Sequence, residues 1–303
     1  CLAPDAFVKR DVPDAVFDKA YQSHANTETC PGHSTILTGD HPARTGIIGN
    51  TWIDQSLQRP DKIVYCAEDP QVPGATHSHY TVSSTYLRIS TLGELMKAEW
   101  PSSRNVAVAG KDRAAVMMSG HRPDQRWYWA GRQFSTDLGG AAAPATIAAT
   151  NAAVGRMLAA PFEGLQPTPF CSSKAQAIPV DGHAPVGAGN FARAGGDVDS
   201  FVASPQFDGA ILAAAAGLVH EMRLGQGSAP DVLSVGLSAT DYVGHDYGTE
   251  GQEMCLNLLE LDREIGDFLG FLDGTGVDYA VVVTADHGGQ DLPERLRLHG
   301  VPD

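Results

Sequence analysis

The run Asp231-Val-Leu-Ser-Val-Gly-Leu-Ser-Ala239, continued by Thr240-Asp-Tyr-Val-Gly-His-Asp246, decides how the chain is read. A short apolar stretch bounded by turn signals predicts a strand buried on both faces, as in an α/β sheet. Beyond its C-terminal end stand a carboxylate and an imidazole, Asp241 and His245, at i, i+4. If that segment turns helically, the two converge on one face. The pattern recurs at Asp278-Tyr-Ala-Val-Val-Val-Thr284, an apolar strand ending in Ala285-Asp-His-Gly-Gly289 and so presenting Asp286 and His287. Ligands bind at the carboxyl ends of strands in open α/β sheets. Either pair alone reads as a capping Asp with a core His. Together, after two apolar strands and without thiolates, they predict zinc ligands in a hydrolytic site, with manganese or another divalent ion as the alternative.

Working outward, Asn105-Val-Ala-Val-Ala109 is a third buried strand. It leads to Gly110-Lys-Asp-Arg113, where Lys111 and Arg113 alternate with Asp112 and can face one side; simple solvation is the competing reading. Helices are expected over 91–100 (Leu92, Leu95 and Met96 inward, Glu94 and Lys97 outward) and 208–224. A third is expected over 253–272, with Met254, Leu258, Leu261, Ile265, Phe268, Leu269 and Leu272 as its apolar stripe. Residues 1–24 are polar and turn-rich, and 55–80 read as loop. Residues 120–205, with the aromatic cluster Trp127-Tyr-Trp129 and an Ala/Gly-rich run over 139–160, show no continuing strand–helix alternation. The expected fold is α/β, a mixed and mostly parallel central sheet with helices on both faces. Residues 1–119 and 206–303 make the core, and 120–205 an inserted subdomain.

Upstream lies Ala25-Asn-Thr-Glu-Thr-Cys-Pro-Gly-His-Ser-Thr-Ile-Leu-Thr-Gly39. It offers the Thr29 hydroxyl at a turn into a helix N-terminus, where backbone N–H groups and the helix dipole favour an anion. A hydroxyl is a weak nucleophile until a base or a metal activates it. In Thr45-Gly-Ile-Ile-Gly-Asn50 two glycines let backbone approach a ligand, and Asn50 can offer its amide to an oxyanion; by itself Asn50 reads as a turn residue.

Composition narrows the partners. The net charge is 21 − 36 = −15 with no basic run, which argues against nucleic acid and anionic membrane. No apolar run approaches the roughly 18 residues of a membrane span, so no membrane insertion is expected. The five cysteines (Cys1, Cys30, Cys66, Cys171, Cys255) form no C-x-x-C, which excludes a zinc ribbon or thioredoxin motif. One or two disulfides would suit an exported protein, though sequence does not choose the pairs. The chain opens Cys-Leu-Ala-Pro-Asp and ends Leu298-His-Gly-Val-Pro-Asp303, without initiator Met or signal peptide, and is expected to be truncated at both ends; a lipid-modified Cys1 is the alternative.

The order Thr-Cys-Pro-Gly-His, Gly-Ile-Ile-Gly-Asn, Gly-Lys-Asp-Arg, Thr-Asp-Tyr-Val-Gly-His and Thr-Ala-Asp-His-Gly resembles the alkaline phosphatase superfamily. It looks most like the bacterial single-chain alkaline phosphatases with a Thr nucleophile, relatives of the type I phosphodiesterases/nucleotide pyrophosphatases. The motifs span nearly the whole chain. The resemblance implies two zinc ions and a phosphothreonine intermediate on Thr29, which also touches one zinc. Asp286 and His287 would hold that ion, and Asp241 and His245 the second, which serves the attacking water. Asn50 would bind a non-bridging phosphate oxygen. Lys111 and Arg113 would reach the phosphoryl oxygens, a pair the diesterase relatives lack, so the expected substrates are small phosphate monoesters.

An alkaline optimum is expected, because a metal-bound hydroxide and an alkoxide both need proton loss; a periplasmic or secreted location and a monomer are expected as well. The family also carries a zinc-binding Asp at the end of a first strand and a His well beyond Asp-His-Gly. Asp5, Asp11, Asp14 and Asp18 lie in polar sequence without such a strand, and His299 follows His287 too closely. Both ligands are therefore expected outside this chain. The alternatives are a nucleotide pyrophosphatase/phosphodiesterase, or an inactive metal-binding homologue or non-catalytic fragment. A sulfatase is disfavoured, because Cys30 is followed at once by Pro31 and the C-x-P-x-R signature is missing.

Overall fold

A computed structural model describes residues 17, 19–140, 143–182 and 184–301. Thr29 opens the first helix, α1 (Thr29–Thr38), which Gly39 ends in the left-handed conformation at φ 72°. After the short α2 (Pro42–Thr45), strands β1 (Thr51–Ile53) and β2 (Ile63–Tyr65) pair antiparallel as a separate ribbon. Then come α3 (Leu92–Glu99), β3 (Asn105–Ala109), α4 (Asp112–Ser119), β4 (Gln125–Ala130) and β5 (Gln133–Ser135). Helices α5 (Ala145–Ala159), α6 (Pro169–Ser172), α7 (Val198–Val202) and α8 (Pro205–Met222) precede β6 (Val232–Gly236). The chain continues through α9 (Ala239–Tyr247), α10 (Gly251–Thr275) and α11 (Pro293–Leu298).

The central sheet has the order β5-β4-β3-β6. β3 pairs in parallel with both β4 and β6, and β5 returns antiparallel onto β4. Successive side chains of a strand point to opposite faces, and β3 uses this fully. Val106 and Val108 join Phe207, Ile211, Ala214 and Leu218 of α8 and Ile147 and Val154 of α5. Ala107 and Ala109 meet Ala114, Ala115 and Met118 of α4, with Leu37 of α1 packed against them. The result is helices on both faces of a mixed, mostly parallel sheet. Each fully buried Val, Leu or Ile contributes about 1.5–3 kcal/mol, so this two-sided burial outweighs the modest propensity of so short a strand. The carboxyl ends of β3 and β6 lie side by side, with Ala109 in register with Gly236, and the segments bearing Lys111 and Asp241 leave from the same end of the sheet.

Five expectations are corrected. Trp127-Tyr-Trp129, expected within an insertion, belongs to β4 in the central sheet. Its strand is disguised by Arg126, which is buried because its guanidinium bonds Asp137 and the Gly120 carbonyl oxygen. Residues 145–159, read as part of an Ala/Gly-rich connection, form α5, since alanine carries the best intrinsic helix propensity. On α3 the expected faces are reversed: Leu92 and Leu95 are exposed, and Glu94 is buried. Glu94 reaches back to the Thr91 N–H at 2.9 Å and meets His121, so capping dictates its position. On α10, Leu258 of the expected stripe is half exposed.

The fifth correction is at 278–284, which forms no strand among the described residues. Val281, Val282 and Val283 are exposed there. An apolar extended run becomes a strand only when a neighbouring strand pairs with it, and no described strand does so. The upstream carboxylates Asp5, Asp11, Asp14 and Asp18, and Cys1, lie outside the described residues.

Candidate active site

Thr29 is the first residue of α1 and is almost fully buried. Among the described residues nothing hydrogen-bonds its hydroxyl. The nearest imidazole along the helix, His33, directs Nδ1 at the Thr29 carbonyl oxygen instead (2.9 Å), so it is not placed as a base. The helix N-terminus is also less open to an anion than the sequence predicts. The Cys30 N–H donates to Asn50 Oδ1 at 2.8 Å, Pro31 has no N–H, and the Gly32 N–H donates to the Glu28 carbonyl oxygen at 3.0 Å. An oxyanion at Thr29 must therefore be met largely by side chains.

Asn50 is suited to that. Its carboxamide oxygen is spent on Cys30, its backbone N–H donates to Glu28 Oε2 at 2.6 Å, and its carbonyl oxygen accepts from Cys66. With the residue so fixed, the NH2 group is left without a partner among the described residues. A disulfide between Cys30 and Cys66 staples the same corner, and a second joins Cys171 of α6 to Cys255 of α10.

Lys111 and Arg113 start α4, directly beyond β3. The Lys111 ammonium is buried, bonds Asp241 Oδ2 and lies 4.8 Å above the Tyr242 ring. Burial lowers its pKa, while Asp241 and Asp286 oppose that and the Arg113 charge adds to it. Arg113 lies near the Tyr65 hydroxyl and Asp112, and its Nε is buried without a partner. Behind the pair, Asp112 accepts from Tyr65 at 2.7 Å and Tyr80 at 2.8 Å. Burial, with Asp112 alongside, pushes the Tyr80 hydroxyl up to about 12, so it remains a donor.

The Asp/His pairs are brought together. Asp241 and His245 stand one turn apart on α9, as the helical spacing predicts, with His245 Nε2 3.6 Å from Asp241 Oδ2. His287 Nε2 lies 3.6 Å from Asp241 Oδ1 and 3.5 Å from Asp286 Oδ2. These gaps are long for hydrogen bonds. They match the roughly 3.4 Å edge of a tetrahedron whose ligands lie about 2.1 Å from zinc. The donor chemistry therefore fits zinc pairwise. Among the described residues, however, no group of three or more His, Cys, Asp or Glu side chains closes into a metal cage, and His245 is three-quarters exposed.

Asp286 sits against α1. Gln22 donates to its carbonyl oxygen, and His33 Nδ1 lies 3.1 Å from its Oδ2. Burial works to raise this carboxyl, and His33 and His287 outweigh it, holding Asp286 below the usual carboxylate range. One residue with no site signal in the sequence also contributes. Asp208 of α8 accepts the Ala239 N–H at 2.9 Å and so seats the start of α9. Burial drives its carboxyl up to about 7, and Glu264 nearby to about 8, through burial first and Asp208 second. The only signal for His33 was its place four residues after Thr29.

The model of the family described as type I phosphodiesterase/nucleotide pyrophosphatase matches residues 15–301. The chain is 50% identical over 289 residues to alkaline phosphatase PhoK of Sphingomonas sp, covering 95% of this chain and 51% of that one. It is 48% identical over 288 residues to alkaline phosphatase PhoD of Zymomonas mobilis, covering 94% and 50%. It thus spans about half the length of the curated relatives it matches. Among solved structures, a variant of alkaline phosphatase PafA superposes with a TM-score of 0.84 over 99% of this chain and 61% of that one; at 23% identity this speaks for the fold.

Proposed function

Because the chain belongs to the type I phosphodiesterase/nucleotide pyrophosphatase family of the alkaline phosphatase superfamily, we propose that it hydrolyses phosphate monoesters, with zinc, through a phosphothreonine on Thr29. The observation that carries this reading is the pair of cations at the start of α4: Lys111, bonded to Asp241 and within the field of Asp286, and Arg113, which lies close enough to add to the charge that Lys111 feels. A monoester dianion presents more charge to such a pair than a diester does, and a buried cation discriminates between them strongly. The curated relatives PhoK and PhoD are named as alkaline phosphatases, which supports the same choice.

In this reading Thr29 Oγ1 attacks phosphorus and its proton passes to solvent. The P–O bond to the alcohol breaks, and the alcohol leaves after taking up a proton. Asn50 Nδ2, Arg113 and Lys111, the last releasing Asp241, hold the non-bridging oxygens. Water then attacks the phosphothreonine, the bond to Oγ1 breaks, and inorganic phosphate departs. Bound at Thr29, Asp286 and His287 and at Asp241 and His245, zinc supplies the Lewis acid that makes the hydroxyl and the water nucleophilic near neutral pH. Asp241 and His245 provide two ligands where a catalytic zinc takes about three from protein, so a further donor is expected for that ion.

Two disulfides suit an oxidising compartment, the periplasm or the exterior. No helix among the described residues is long and apolar enough to cross a membrane.

The test is the hydrolysis of 4-nitrophenyl phosphate against bis(4-nitrophenyl) phosphate by the whole zinc-loaded protein. The expected result is a strong monoester preference that Lys111→Ala and Arg113→Ala each erode. A diester preference indifferent to both substitutions would move the protein to the pyrophosphatase reading.

A further inference from the structure

We propose that His33 is a positioning residue, tying the Asp286 carboxylate to the Thr29 backbone so that the nucleophile and this metal-binding group keep one spacing. The inference rests on the zinc-phosphatase reading above. His33 follows Thr29 by one helical turn, and its Nδ1 lies 2.9 Å from the Thr29 carbonyl oxygen and 3.1 Å from Asp286 Oδ2. Both partners only accept, so Nδ1 carries the hydrogen, which the Thr29 carbonyl oxygen accepts, with Asp286 Oδ2 as its second, electrostatic neighbour. The ring is largely buried, which shields both contacts from water.

Asp286 is held largely from the α1 side. Residues 278–285 pair with no strand among the described residues, and the described contacts on Asp286 come from other elements. Its position is set from the α1 side, by Gln22 on its carbonyl oxygen, by Gly32 packed backbone to backbone against it, and by His33 on its carboxylate. Only the last acts on the ligand atoms themselves. Hydrogen bonds of this kind orient metal ligands, and their loss typically costs about 10–100-fold in metal affinity.

The experiment is a Zn2+ competition titration against a chromophoric chelator, on the whole protein and on His33→Ala, His33→Asn and His33→Gln, with kcat, KM and Tm measured in parallel. Asparagine places an N–H near the position of Nδ1, and glutamine places it one bond further, near Nε2. The expected result is that Ala and Gln each lose about 10–100-fold in zinc affinity and lose kcat rather than KM, and that Asn recovers most of both. Asn as poor as Ala, or Gln as good as Asn, would overturn the inference. The Asn/Gln comparison decides it even if His33→Ala fails to fold. Zinc uptake by the wild type with unchanged uptake in the variants refutes the His33 role alone. No uptake by the wild type removes the zinc reading along with it.

Discussion

Replacing Gly32 by alanine sets two opposing effects against each other. Gly32 lies inside α1, where alanine is favoured over glycine by about 0.8–1.0 kcal/mol of helix propensity. Its added Cβ would sit 2.1 Å from the Asp286 carbonyl oxygen, 2.7 Å from the carbonyl carbon and 2.9 Å from the Asp286 Cβ. Non-bonded heavy atoms settle at about 3.5–4.0 Å, so α1 and the Asp286 segment must part by roughly 1 Å. The neighbour is backbone, which cannot swing aside as a side-chain tip would. Overpacking of this kind costs about 1–3 kcal/mol, which more than cancels the propensity gain and predicts a modest net fall in stability. The functional cost is larger, because a shift of about 1 Å between reacting groups slows turnover about 100-fold. Steady-state hydrolysis of 4-nitrophenyl phosphate with a parallel melting curve measures both. A Gly32→Ala protein with a raised Tm and a rate within about twofold of wild type would show that propensity alone governs the position and that α1 does not set the Asp286 geometry.

Asp208 and Glu264 predict the pH dependence of stability. Burial pushes their carboxyls up to about 7 and about 8 in the fold, from ordinary values of 3.8 and 4.5. The folded state therefore holds protons that the unfolded state has already released. Stability from these groups is complete below the lower values and is lost as pH rises through the upper ones, so Tm should fall between pH 5 and 9, and Asp208→Asn should flatten that fall; a Tm that rises over this range would contradict it. The Cys171–Cys255 disulfide closes a span of 84 residues. In the chain-entropy model that is worth about 4–5 kcal/mol, so Cys255→Ser should lower the urea midpoint markedly, and an unchanged midpoint would remove the disulfide from the stability account. Asn50→Ala frees the Cys30 N–H and deletes the oxyanion donor. Its expected cost is about 10²–10³ in kcat, read by steady-state kinetics with zinc content unchanged; loss of zinc in step with kcat would instead mean that the corner around Thr29 had come apart.

What the sequence disclosed was the part that depends on periodicity and order. β3 and β6 announced themselves as apolar runs between turn signals, α8 and α10 as helical repeats, and Asp241 with His245 as a one-turn pair. β4 was hidden because Arg126 and Gln125 read as surface until Asp137 is seen to meet the arginine. The exposure of Leu92 and Leu95 followed from Glu94, whose capping role outranks the apolar pattern around it. The strand expected at 278–284 depends on a neighbour, and no local pattern reports whether one is present. Long-range choices were equally out of reach: Cys30 with Cys66, Lys111 on Asp241, and His33 between Thr29 and Asp286 are facts of packing.

The measurement closest to the central claim is acid-quench phosphopeptide mapping. The whole zinc-loaded protein is mixed with a 32P-labelled phosphate monoester, quenched within the first turnovers and digested. The account predicts label on the peptide spanning residues 25–39, as phosphothreonine at Thr29, and its absence from Thr29→Ala, which keeps its zinc. Turnover by Thr29→Ala, or label on any other residue of the wild type, would contradict it.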